Sequence, residues 1–321
     1  MRILILGNKT NVLDEGAKNV ATNLSKAFEK NSDVLTIHQR KAWHLNNIIK
    51  SFRFSPDIVL SIHGPSIKTI IIIFIYKILC RCKSVIVAAQ PHDKKMMLRF
   101  ASLFKPDYLF AQSKYWFDRF NKCNIKTQML ANGVDTDKFT DIKNDEELKS
   151  TLSSLNLNEN DKILLHIGPI NYNRNHELLM ELAQNTDWKI IIIGSTTAPF
   201  NEALFNKIKA AGVIAINEYF PHINQLYAIS DYYIFPVLKE DGSIEFPLTV
   251  LEAMSSNCPV ISTRFKGIPD FIKETSSFRY FSTYDEILNI LNTNKPTDNN
   301  RAIALDFSWK KIAKTIEDSI N

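Results

Sequence analysis

A chain of 321 residues, 45% of them apolar, is long enough for two ordinary domains with their own cores, and 23% charged residues argues against wholesale disorder. Lys and Arg number 39 against 34 Asp and Glu, a net of +5 that names no partner by itself. The nine glycines form neither G-x-G-x-x-G nor G-x-x-x-x-G-K-[ST], which argues against dinucleotide and P-loop enzymes, and Cys80, Cys82, Cys123 and Cys258 form no C-x-x-C pair that would suggest zinc.

The chain opens on MRILILG, an apolar run that turns polar at once in NKTN. That run is shorter than the apolar region of a signal peptide, and it reads as a buried first strand. Five further strands are predicted at 34–37, 58–61, 85–88, 108–111 and 127–130, with helices at 16–29, 67–79, 94–103 and 115–121 between them. Residues 69–79 (TIIIIFIYKIL) are the longest apolar stretch and fall short of the ~20 residues that span a bilayer. They read as a buried helix, with a position near a membrane surface as the alternative. Residues 132–160 are polar and free of strand signals, a linker with a short helix around 145–155.

A second series follows, with strands at 163–167, 189–193, 213–216, 232–235, 260–262 and 278–281. Its helices are predicted at 176–185, 201–211, 223–229, 247–256 and 268–273, and segments 285–291 and 309–319 close the chain. Apolar strands alternating with amphipathic helices predict parallel sheets covered on both faces. The architecture expected is therefore α/β, two doubly wound Rossmann-like units facing a central cleft. The expected boundaries are 1–140, 141–305 and a last helix in 306–321 that packs back toward the first domain.

The two halves differ in charge. Residues 1–140 hold 22 Lys and Arg against 10 Asp and Glu, a net of +12, and residues 141–321 hold 17 against 24, a net of −7. A domain at +12 favours anionic partners, a phospholipid surface or a polyprenyl phosphate among them. Nucleic acid is not expected, because no recognisable reading motif or basic–aromatic platform is present. With the reduced thiols, this predicts a cytoplasmic protein, peripheral at the inner face of the membrane.

Ligands of open α/β sheets bind beyond the carboxyl ends of the strands, so residues just after strands carry the chemistry. Residues 231–270 stand out: a strand, a polar loop, Pro247 at a helix start, and an apolar helix that carries Glu252. The backbone of Phe246, Pro247, Leu248 and Thr249 at that helix start is a candidate anion site that needs no glycines. Glu252 on an apolar helix needs a partner, which a pair of sugar hydroxyls would supply. Read by spacing alone, Glu245 and Glu252 are also compatible with a surface cap and a salt-bridged residue.

FPLTVLEAM, NCPVIST and KGIPD in this segment resemble the nucleotide-sugar motif of retaining glycosyltransferases of family 4 (glycosyl transferases group 1), which have the GT-B fold. LANGVDTDKF, LLHIGPINYNRNHELLMELA, LYAISDYYIFPV and FSWKKIAKTI resemble other landmarks of that family in the same order. The resemblance implies transfer of a sugar from a nucleotide-sugar donor to a lipid-linked or cell-surface saccharide acceptor, without a divalent metal. It implies that Glu252 holds the donor ribose. The family's first glutamate falls at Ile244, and Glu245 is the candidate replacement. Of two phosphate-binding cations, one position is Pro169 and the other is Arg174, with Lys239 or Lys266 available as a substitute. In the first domain, Gly16 would let the backbone approach the ligand, and His63 in LSIHGPS resembles the active-site histidine; His92 is a weaker cleft candidate. Asp135 and Asp137 form D-x-D, read here as turn and cap residues. A second function class stays open. The changes at Ile244 and Pro169 also fit a catalytically weak GT-B partner or sugar-nucleotide-binding subunit.

Overall fold

The computed structural model describes residues 1–320 apart from 10–15, 63, 92–94, 143, 221 and 294–295. In the first half, strands β1 (Arg2–Leu6), β2 (Asp33–Ile37), β3 (Ile58–Ser61), β4 (Lys83–Ala88), β5 (Tyr108–Ala111) and β6 (Thr127–Met129) alternate with α1 (Gly16–Phe28), α2 (Leu45–Phe54), α3 (Ile67–Cys80), α4 (Lys95–Leu103) and α5 (Lys114–Asn121). After α6 (Asp145–Ser154) the second half runs β7 (Ile163–Ile167), α7 (His176–Asn185), β8 (Lys189–Ile193), α8 (Glu202–Ala210), β9 (Ile214–Ile216), α9 (Ile223–Ile229) and β10 (Tyr232–Phe235). It continues through α10 (Leu248–Ser255), β11 (Val260–Ser262), α11 (Ile268–Phe271), β12 (Phe278–Tyr280), α12 (Tyr284–Leu291), α13 (Asn300–Ala304) and α14 (Trp309–Ile320).

The strands form two six-stranded sheets, ordered β2-β1-β3-β4-β5-β6 and β12-β11-β10-β7-β8-β9. All their pairings are parallel. Parallel strands need helical crossovers, and the crossovers cover both faces, so the central strands are largely apolar instead of alternating. Strand β7 shows this directly, with all five residues of ILLHI buried. In each sheet the order reverses between two central strands, β1 and β3 in the first and β7 and β10 in the second. The carboxyl ends of those pairs are the expected ligand crevices.

Each sheet carries one core on each face. On one face of the first sheet, Leu4, Val59 and Ile86 pack with Ile70, Ile73 and Tyr76 of α3. On the other, Ile3, Ile5 and Val85 pack with Val20 and Leu24 of α1 and with Trp309, Ile312 and Ile316 of α14. The chain's last helix therefore completes the core of its first sheet. Ile244 and Leu248 of the second half join the same cluster and make the two halves continuous there.

Two helices lie where none was predicted. Helix α13 has five residues, too few to show a helical period, and it is set by its Asn299 cap, which accepts from Ala302 N at 3.1 Å. Helix α2 buries Ser51, packs only Ile48 against the core and leaves Leu45, Ile49 and Phe52 at the surface, so its apolar pattern does not mark the core-facing side.

Candidate functional site

A cavity of about 500 Å³ opens between the halves, at the reversal point of the second sheet. It is walled by the loops after β7 and β8, the start of α10 and the start of α1. Helix α10 begins at Leu248 with Pro247 as its N-cap residue, and no side chain caps it. Proline cannot donate, and first-turn N–H groups have no partner inside a helix. Pro247, Leu248 and Thr249 line the cavity, so the positive end of the α10 dipole faces the space a ligand would fill.

Arg174 reaches the cavity from the loop after β7. Its guanidinium lies against Gly168, where a Cβ would stand 2.8 Å from Nη1, so a larger residue there would displace the guanidinium. Arg174 is only 9% exposed, its Nε has no hydrogen-bond partner, and among the described residues no carboxylate pairs with it. Burial lowers its pKa to about 10, which leaves it charged at neutral pH. A buried, unpaired cation facing a cavity is costly unless an anion arrives.

Two buried histidines border it. His166 Nδ1 lies 3.0 Å from the carbonyl of Ile234, and His176 Nε2 lies 3.3 Å from that of Pro169. A carbonyl only accepts, so each ring donates its single proton there and stays neutral. Burial, reinforced by Arg174, holds His166 well below its ordinary pKa, and burial takes His176 to about 4. The imidazole rings meet edge to face at 5.5 Å. The cavity thus gains no competing cation beside Arg174.

Glu252, in the second turn of α10, lines the opposite part of the cavity. Tyr227 donates to its Oε2 at 3.0 Å, and Tyr233 donates to Thr249 Oγ1 at 2.6 Å. These tyrosines come from α9 and β10, so the packed core orients the helix face that meets the cavity. Burial raises the Glu252 carboxyl to about 7, offset in part by Tyr227 and Lys138. Asp135 also lines the cavity and accepts at Oδ1 from the N–H groups of Asp137 and Lys138, so it acts as a turn cap.

The structure therefore gathers Gly16, Arg174, Pro247, Leu248, Thr249 and Glu252 around one cavity. Glu245 and Phe246 are not among the residues that line it. Glu245 is 3% exposed and engaged on both carboxylate oxygens: Lys266 Nζ sits 3.0 Å from Oε1, and Ser113 donates to Oε2 at 2.9 Å. Phe246 is wedged between Phe271 and Phe307, and its carbonyl accepts from Asn132 at 2.6 Å. Both belong to the junction between the halves. The wall at this point is Ile244, whose Cδ1 would meet a Cβ on Gly16 at 3.3 Å. Lys266 is engaged by Glu245 and the carbonyl of Ser243, Lys239 is exposed, and neither lines the cavity. His63 and His92 lie outside the described residues.

Sequence reasoning missed Asn19 and Asn23 on α1, Ser195 to Thr197 after β8, and Glu218 after β9, all of which line the cavity. The one available signal was position: the second-half residues all follow strands. Among the described residues no group of three or more His, Cys, Asp or Glu could hold a metal ion, and no helix is long and apolar enough to cross a membrane.

Known proteins share this fold. HepE from Anabaena, solved with UDP bound, superposes with a TM-score of 0.78 at 17% identity, over 100% of this chain and 99% of that one. It has also been solved with UDP-glucose. Sucrose-phosphate synthase from Thermosynechococcus elongatus gives 0.77 at 12% identity, over 99% and 98%. At these identities the likeness shows the fold. Over 149 residues the chain is 32% identical to the sulfoquinovosyl transferase SQD2 of Arabidopsis thaliana, covering 44% of this chain and 27% of the relative. The match thus spans about a quarter of that relative's length. The chain has the fold of the GT-B glycosyltransferases, and its residues 149–286 match the family model of glycosyl transferases group 1.

Proposed function

We propose that this chain is a retaining glycosyltransferase of the family 4 type, which moves a sugar from a nucleotide-sugar donor to a lipid-linked or cell-surface saccharide. The observation that carries the reading is Arg174, a buried guanidinium without a carboxylate partner among the described residues, facing a cavity shared with an uncapped helix start. A donor diphosphate supplies the anion that both lack. Arg174 can offer it a bidentate fork, and the α10 N–H groups can bind a second oxygen. Glu252, fixed by Tyr227, accepts hydrogen bonds from the donor ribose hydroxyls.

Most of the rate then comes from electrostatics. As the bond between sugar and phosphate breaks, negative charge grows on the leaving diphosphate. Preorganised donors stabilise that charge more than they stabilise the bound ground state. The acceptor hydroxyl enters from the basic first half, passes its proton to the leaving phosphate and attacks the face that phosphate leaves, which retains the anomeric configuration. No step calls on a metal, because Arg174 and the helix start provide the positive charge.

A thermal-shift screen of nucleotide sugars tests the binding step, since a ligand bound to the folded state raises apparent stability. One donor class is expected to raise the melting temperature, and transfer from it to a lipid-linked saccharide should vanish in Arg174→Ala and Glu252→Ala while both variants stay folded. Full transfer in either variant would refute the assignment. The second reading, a catalytically weak partner or sugar-nucleotide-binding subunit, is favoured by Ile244 at the cavity wall and by the engagement of Glu245 with Lys266, which together leave no carboxylate at that position. A donor that binds but is neither hydrolysed nor transferred would select it.

A further inference from the structure

We infer that Glu218 selects guanine, so that the donor taken by this cleft is a sugar linked to guanosine diphosphate. The inference rests on the transferase reading, which puts a nucleotide in the cavity, and goes beyond it by naming the base. Among the described residues, the carboxylates that line the cavity are those of Asp135, Glu218, Asp241 and Glu252. Asp135 caps its own turn, Asp241 accepts from Asn173 Nδ2 at 2.9 Å, and Glu252 accepts from Tyr227. Glu218 is exposed, and among the described residues no cation or hydrogen-bond donor meets its side chain.

The order of the second sheet places this carboxylate. Beyond β10, which leads into α10, the strands run β7, β8, β9; Arg174 follows β7 and Glu218 follows β9. At ~4.8 Å per strand the two loops stand about 10 Å apart. A diphosphate held by Arg174 and the α10 N–H groups therefore has one arm of the cavity toward Gly16 and Asn19 of the first half and another toward the loops after β8 and β9. The transferred sugar takes the first arm, where the acceptor enters, and the nucleoside takes the second. Tyr227, which fixes Glu252, stands on α9, the helix that follows the Glu218 loop, so ribose and base carboxylates lie along one path. Pro199, Phe220 and Ile223 give that arm apolar walls for a flat ring.

Hydrogen-bond chemistry then selects the base. A carboxylate only accepts, so it calls for donors on the ring edge it meets. Guanine carries two side by side, N1–H and the N2 amino group, which match both oxygens of one carboxylate. Uracil and thymine offer a single N–H between two carbonyl oxygens, and those oxygens would face the carboxylate. Adenine and cytosine offer an amino group beside a ring nitrogen that only accepts. Each of these sets an acceptor against an acceptor, which is how a polar site rejects the wrong ligand.

The test is titration calorimetry of the full chain with the diphosphates of guanosine, inosine, uridine and adenosine, on the wild type, Glu218→Gln, Glu218→Ala and Arg174→Ala, with melting temperatures as the check on folding. The wild type is expected to bind guanosine diphosphate at least about tenfold more tightly than the uridine and adenosine compounds. Inosine diphosphate, which keeps N1–H and lacks the N2 amino group, should bind about tenfold more weakly than guanosine diphosphate. In both Glu218 variants the guanosine-to-uridine and guanosine-to-inosine affinity ratios should fall about tenfold, whereas Arg174→Ala should weaken all four ligands alike. Uridine or adenosine diphosphate bound as tightly as guanosine diphosphate, or a guanosine preference that both Glu218 variants keep, would overturn the inference. Binding that depends on Arg174 without a guanosine preference removes the base assignment and leaves the transferase reading standing. No response to any of the four nucleotides removes both.

Discussion

Arg174 is buried and Glu252 partly buried at the same cavity, and desolvation acts on them in opposite directions. It lowers the arginine, which stays protonated at pH 7, and raises the carboxyl to about 7, where it is half ionised. Only Glu252 therefore titrates in the physiological range. Below its ordinary value of 4.5 the carboxyl is protonated folded or unfolded. Between 4.5 and about 7 the unfolded chain ionises first, so folding loses stability as pH rises through that window. A ribose that donates to the carboxylate reverses the preference, because its hydroxyls bind the ionised form better. Donor affinity should therefore rise between about pH 6 and pH 8, by roughly tenfold. Glu252→Gln should flatten that slope and bind at the weaker, low-pH level throughout. Titration calorimetry across this range, in buffers of different ionisation enthalpy, also reads the proton released on binding. A slope that survives in Glu252→Gln would assign it to another group.

Helix α7 shows a related effect at the scale of an element. Its first residue is His176, buried and neutral at a helix N-terminus, where a positive charge is unfavourable. Its folded pKa of about 4 lies below the ordinary 6.5, so it contributes stability above pH 6.5 that is lost as pH falls toward 4. The loss should amount to about 3 kcal/mol, and His176→Gln should unfold less steeply with acid when followed by urea denaturation from pH 7 to 4. The histidine pair was not legible as such, since His166 and His176 meet only because β7 and α7 fold back on each other. By contrast, β5, β7, β8, β10 and β11 lie where their apolar runs predict, because a buried parallel strand needs both faces apolar. The presence of Arg174 and Glu252 at the cavity was legible, Arg174 through the family resemblance and Glu252 through its place in an apolar helix together with that resemblance. The direction of Glu245 was not legible: a one-residue step along a loop decides which side of the wall a carboxylate meets, and that was settled by Lys266 and Ser113 from distant parts of the chain.

For the molecule as a whole, that carboxylate helps hold the halves together. Glu245 N donates to Ala89 O at 2.9 Å, its carboxylate binds Ser113 of the first half and Lys266 of the second, and Lys114 N donates to Asp270 at 2.7 Å. Gly267 lies so close to the carbonyl of Gln112 that no Cβ could be accommodated, and Gly133 leaves a Cβ only 2.5 Å from the ring of Trp309 on α14. The junction is thus built from close backbone approaches and a largely buried ion pair. Removing one partner of such a pair strands the other charge in a dry site, while replacing both by apolar residues can be nearly neutral. Glu245→Ala should therefore destabilise the chain by about 3 kcal/mol, and Glu245→Met/Lys266→Met should recover most of that loss. Urea denaturation of the single and double variants measures both terms. Donor binding, measured well below the unfolding transition, should be retained in the double variant, because neither side chain faces the cavity. If Glu245→Ala instead kept full stability and lost transfer, the carboxylate would act on substrate, and the junction would be held by the glycine contacts and α14 without it.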